Sequence, residues 1–171
     1  MILSILKIAT NQRNQSPADA LGKVLNYVMR PEAASLTGIY GAGVSVYHTF
    51  DAMMEVKMAY GQDRLKPFYH YIFNPEDTDY IDELNFQMMV QEMAEFIHKF
   101  SGCYQVLSSV HYDHAPCLHA HFIANNIYLR TGQRLDINYE KLRLLKTGLN
   151  DILKCYNVSP IPIKYTPESL Q

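Results

Sequence analysis

Four of the seven histidines fall within eleven residues, in the stretch HYDHAPCLHAH at 111–121. Imidazoles that close together either titrate together near neutral pH or share a metal. The flanks read as strands, CYQVLSSV before and LHAHFIANNIYL after, rich in Val, Leu, Ile and Tyr. Between them, DHAPC carries the turn residues Asp and Pro, so the spacing predicts a β-hairpin. With its loop centred on Ala115, His111 lies opposite His119, at the roughly 4.5–5.5 Å Cβ separation of cross-strand neighbours. Alternate strand residues share a face, so His121 joins His119. Three imidazoles therefore converge from two adjacent strands, while His114 stays in the loop. A lone histidine is ordinarily a solvated or core imidazole. Three at convergent positions point to a metal, and zinc, manganese, nickel or iron all accept imidazole. Three protein ligands leave coordination positions open, as a catalytic site requires.

Two neighbours share this parity. Asp113 stands at the loop mouth on the His111 side, where a carboxylate receives a ligand N–H or acts as a general base. The plainer reading of Asp113 is an Asx-turn residue. Cys117 lies on the His119 side as a soft fourth ligand or, more simply, a small buried hydrophobe.

Elements long enough to position such a site surround the hairpin. Strand 2–9 precedes SPADALGKVLNYVMRPE, in which Ser16 is an N-cap and Pro17 stands at the first helical position. Leu21, Val24, Leu25 and Val28 follow the i, i+3, i+4, i+7 pattern of an amphipathic helix ending before Pro31. Tyr27 falls about 60° from Val24, at the border of that stripe. GAGVSVYHTF reads as a short strand or loop, DAMMEVKMAYG as a helix and KPFYHYIFNPED as a strand ending in a turn. DYIDELNFQMMVQEMAEFIHKF predicts a long helix with Ile81, Leu84, Met88, Phe96, Ile97 and Phe100 on or near one stripe. YEKLRLLKTGLNDILKCY predicts another, with Leu142, Leu145, Leu149, Ile152 and Leu153 inward. Interspersed helices and an antiparallel hairpin imply an α+β fold: one mainly antiparallel sheet of about five strands with helices packed on it. The 171 residues suit one domain, taken as 1–157, with a Pro-rich tail at 158–171.

The composition is globular, 48% hydrophobic with no Trp. No run approaches the roughly 18 apolar residues of a membrane span, and MILSILKIAT reads as a first strand, not a signal peptide. Three scattered cysteines argue for a reducing cytoplasm. A net charge of −2 confines any basic nucleic-acid groove to a local patch. Arg13, Lys23, Arg30, Lys66, Arg130 and Arg134 are candidates for a basic rim, with Tyr and Phe for stacking on single-stranded bases.

HYDHAPCLHAHFIANN resembles the third motif of MOBP-type plasmid-mobilisation relaxases, of the HUH endonuclease superfamily. That motif is His-x-Asp, a short gap, His-x-His around an apolar residue, then Asn. His111 and Asp113, then His119, Ala120 and His121, then Asn125 fall in register. SPADALGKVLNYVMR resembles the family's nucleophile helix with Tyr27 in the tyrosine's place, and FYHYIFNPED its middle strand. Arg30-Pro31 and Phe73-Asn74 stand where the family usually has a lysine and a Ser-Phe pair. The resemblance, over about residues 2–157, implies a palm-like sheet and a metal-dependent, origin-specific DNA nickase of conjugative mobilisation. Tyr27 and Asp113 would be its catalytic residues, with His111, His119 and His121 on one divalent ion (Mg, Mn or Zn). DNA contacts are expected of Arg30, Lys66, Arg130 and Arg134 from that basic rim, and of Asn125. Partners would be single-stranded origin-of-transfer DNA and accessory mobilisation and coupling proteins. Attack by tyrosine would leave a 5′-phosphotyrosyl enzyme and a free 3′-OH. A non-catalytic or truncated relaxase-derived DNA-binding domain and an HUH replication initiator are the alternatives, the initiator disfavoured because its His-x-His usually precedes its tyrosine. A cupin-like metal oxygenase also carries His-x-His on a strand, but the long helices oppose an all-β barrel.

Overall fold

The computed structural model describes residues 16–64, 67–113 and 118–163, and the backbone of a strand at 5–8. The elements run β1 (Ile5–Ile8), α1 (Pro17–Val28), β2 (Ala34–Ala42), α2 (Thr49–Ala59), β3 (Phe68–Asn74), α3 (Glu83–Lys99), β4 (Val106–His111), β5 (His119–Asn125) and α4 (Tyr139–Cys155). The five strands form one sheet in the order β1-β3-β5-β4-β2, with every neighbouring pair antiparallel. The expected α+β sheet is therefore present, and its central strand carries His119 and His121. Among the described residues, no helix is long and apolar enough to cross a membrane.

Strand alternation divides the core in two. Tyr69, Tyr71 and Phe73 of β3, Val106 and Val110 of β4, and Ala120, Phe122 and Ala124 of β5 face α3 and α4. Phe68, Leu107 and Ile123 face the opposite way and bury Leu21, Leu25 and Val28 of α1 with Met53 of α2. Burying each large side chain contributes about 2 kcal/mol. The histidines at 111, 119 and 121 share parity with Leu107 and Ile123, so they open beneath α1.

Side-chain caps start α1, α3 and α4. The Ser16 side chain accepts from the Asp19 amide at 3.1 Å, with Pro17 just inside. Asp82 and Asn138 cap α3 and α4 in the same way. Gly148 lets α4 close on α3, because a Cβ there would meet the Phe96 ring at 2.1 Å.

Two expectations require correction. On α3 the buried stripe is Phe86, Met89, Val90, Met93, Ala94 and Ile97, whereas Leu84 and Met88 are exposed. The run FQMMV offers apolar residues on competing faces, and the sheet selects the one bearing the aromatic Phe86. The strand β2 lies ahead of GAGVSVYHTF, overlapping it only at Gly41 and Ala42. Its register jumps from Ala34↔His111 to Ile39↔Ser109, and this bulge on an edge strand erases the period-two pattern.

At the far end of β5 a buried polar cluster closes the sheet. Lys57 is fully buried and its Nζ donates to Asn126 Oδ1 at 2.9 Å. Burial first, then the nearby Arg134 charge, pull its pKa from 10.5 down to about 8. Between those values the unfolded chain holds a proton that the native chain has released, so stability rises with pH; below the window both states are charged and the penalty is complete. Relative to Lys57→Met, the native chain should gain roughly 3 kcal/mol between pH 8 and 10.5. Urea unfolding of both proteins across that range measures it, and parallel curves would contradict it.

Candidate active site

His111 and His119 are directly paired across β4 and β5, as the loop-centred register predicts. The loop itself, with His114, Ala115 and Cys117, lies outside the described residues. All three rings of the triad are buried, with centroids 4.2 Å apart for His111–His121 and 5.1 Å for each of the pairs with His119. One nitrogen from each lies within 4.8 Å of the others. Nitrogens sharing an ion at about 2.1 Å are at most about 4.2 Å apart, so small ring rotations suffice to gather them.

Outer partners orient these rings. His111 Nε2 lies 2.8 Å from the Val28 carbonyl; because a carbonyl only accepts, the proton is on Nε2. That bond also satisfies a last-turn carbonyl of α1, tying the helix to the triad. His111 Nδ1 lies 4.0 Å from Asp113 Oδ1. His121 Nδ1 lies 2.8 Å from Nε2 of His70 on β3. His121 Nε2 is buried without a hydrogen-bond partner among the described residues. Burial, then the charges of His111, His70, His119 and Arg30, drive the His121 pKa far below its ordinary value. Burial, then His111, bring His70 down to about 4. Both imidazoles are neutral near pH 7. A buried nitrogen lacking a partner, inside a set of three imidazoles, fits a divalent ion such as Mn or Zn.

Tyr27 sits over this cluster. Its ring meets His111 edge-on at 5.8 Å and His121 at 5.6 Å, with the side chain 47% exposed. The Arg30 guanidinium lies 4.2 Å from the Tyr27 ring centroid, donates to the Tyr27 carbonyl at 2.7 Å and forms an ion pair with Asp113. Arg30 is thus drawn into the site, bridging Tyr27 and Asp113.

The remaining expected DNA contacts do not gather here. Asn125 is fully buried; its amide donates to Met53 O at 3.2 Å and Gln105 Oε1 at 2.9 Å. In this place it braces β5 against α2. Arg130 and Arg134 are exposed on the loop after β5, about 20 Å along the sheet from His119. Lys23 is exposed on α1, four residues before Tyr27. Lys66 and Arg13 lie outside the described residues. His70 was missed by the sequence reading, although a histidine inside the apolar run FYHYIF was its signal.

A family model described as relaxase, MobA/VirD2-like, nuclease domain matches residues 27–158. Among solved structures, the chain is similar to the MobM relaxase domain (MOBV; Mob_Pre) bound to plasmid pMV158 oriT DNA, a Mn-bound crystal structure. The TM-score is 0.64 at 13% identity, covering 99% of this chain and 94% of that one, a likeness of fold. No curated protein matches the chain.

Proposed function

The chain belongs to the relaxase family of MobA/VirD2-like nuclease domains, and from that membership we propose that it nicks and rejoins single-stranded origin-of-transfer DNA by tyrosine transesterification. The observation that carries this reading is the seat of Tyr27, half open to solvent with its ring against His111 and His121. A phosphate drawn to the triad would meet the phenol there. In the proposed step the Tyr27 oxygen bonds to phosphorus and the bond from phosphorus to the 3′-oxygen breaks. The phenol gives up its proton and the departing 3′-oxygen takes one up. The product is a 5′-phosphotyrosyl enzyme and a free 3′-OH. No water is consumed, so the strand can be rejoined.

His111, His119 and His121 would hold one divalent ion, which when bound supplies Lewis-acid stabilisation of charge on the non-bridging phosphate oxygens. The Arg30 guanidinium, over the Tyr27 ring, holds that ring in place against the triad. Asp113 acts by holding Arg30 in that place, a positioning role. The oriT DNA and Mn of the MobM structure support the same classes of partner and ion for this chain.

The test is incubation with single-stranded DNA tiling the region around the chain's own gene, with and without Mn²⁺. A denaturing gel should reveal a covalent protein–DNA adduct that EDTA prevents. No adduct on any tile, with Mn²⁺ present, would overturn the reading.

A further inference from the structure

We propose that His70 is a positioning residue that sets the tautomer of His121, leaving Nε2 as the bare lone pair that takes the metal. This rests on the reading of the triad as a metal site and adds the means by which one ligand is held ready. His70 is buried on β3, registered opposite Ile123, while His121 pairs with Ile72. The two histidines are therefore diagonal neighbours on one sheet face, within reach of long side chains. His70 Nε2 and His121 Nδ1 stand 2.8 Å apart, with rings 5.1 Å between centroids.

One proton lies between those nitrogens, and two arrangements place it. If His70 donates, neutral His121 carries its own proton on Nε2. That N–H would be buried with no acceptor among the described residues, and it would block a cation. If His121 donates from Nδ1, Nε2 is an open lone pair. Buried N–H groups without acceptors are rarer in proteins than under-used acceptors, so the second arrangement is favoured before any metal arrives. His111 is held by the same device with the ring reversed: its Nε2–H is committed to Val28 O, which leaves Nδ1 as its ligand atom. Each ring is turned by its outer partner, a carbonyl on α1 for one and an imidazole on β3 for the other.

The experiment uses the intact chain and Mn²⁺ alone. Nitrogen-15 NMR of the metal-free wild type should find His121 protonated on Nδ1, and calorimetry should find one Mn²⁺ site. His70→Leu, which removes the acceptor, should weaken Mn²⁺ binding about 10–100-fold. His70→Gln, whose amide oxygen reaches the Nε2 position, should recover most of it. A merely structural role would move neither the tautomer nor the Leu-to-Gln recovery. An Nε2-protonated His121 in the wild type, a His70→Leu affinity equal to wild type, or a Gln variant as weak as Leu would each overturn the inference. Should His70→Leu fail to fold, the wild-type tautomer and the Gln variant decide. Wild type without Mn²⁺ affinity would overturn the metal reading itself, and this inference with it.

Discussion

Tyr27→Phe is expected to abolish the covalent DNA adduct while leaving fold and Mn²⁺ affinity unchanged. Phenylalanine keeps the ring against His111 and His121 and beneath Arg30, and deletes only the hydroxyl that would attack phosphorus. The side chain is half exposed, so stability should move by no more than about 0.5 kcal/mol. A purely packing role for Tyr27 predicts near-normal nicking by the variant. Peptide mapping of the adduct tests the rivals directly. Tyr69 is buried on the α3 face, its ring stacked on Tyr71 and its hydroxyl donating to Leu135 O. Tyr47 is exposed beside α1, so Tyr47→Phe is the matched control and should form adduct normally. A DNA-linked peptide lacking Tyr27, or adduct formation by Tyr27→Phe, would remove it as the nucleophile.

The triad was legible because a hairpin is a local constraint. A one-residue slip would turn His119 and His121 to the other sheet face, so parity and loop length together left one arrangement that gathers three imidazoles. Contacts that depend on which distant strands pair were not legible in the same way. His70 reaches His121 only because β3 enters the sheet beside β5, across 51 residues of chain. Arg30 and Asp113 meet across 83 residues, which is why Arg30 read as a rim cation and Asp113 as a base or turn residue. Asn125 shows the opposite case. Its place in the His-x-His pattern suggested DNA, while the same strand that turns His119 beneath α1 ends with the Asn125 amide held by Gln105 and Met53. The long helices were found by their apolar period, and α1 also by its cap, but the inward face of α3 depended on what the sheet offered it, and residues 86–90 fit either face until Phe86 is buried.

The ligand variants carry the other large effect, and comparing two of them separates metal binding from placement of the tyrosine. His119→Ala removes one of three ligands and should lower Mn²⁺ affinity beyond the about 10–100-fold typical of losing an outer partner. Adduct formation should fall with it and return in part at saturating Mn²⁺, because Tyr27, Arg30 and the tie from His111 to α1 are untouched. His111→Ala removes a ligand and also the donor to Val28 O, leaving a buried helix-end carbonyl unsatisfied at a cost of about 1–3 kcal/mol. The last turn of α1, which carries Tyr27, should loosen. Amide hydrogen exchange there should quicken in His111→Ala and stay native in His119→Ala, and added Mn²⁺ should not restore the adduct in His111→Ala. If the two variants exchange alike and recover alike with metal, His111 is a ligand and nothing more. If only His111→Ala frees the helix, the same imidazole that would hold the ion also holds the nucleophile over it.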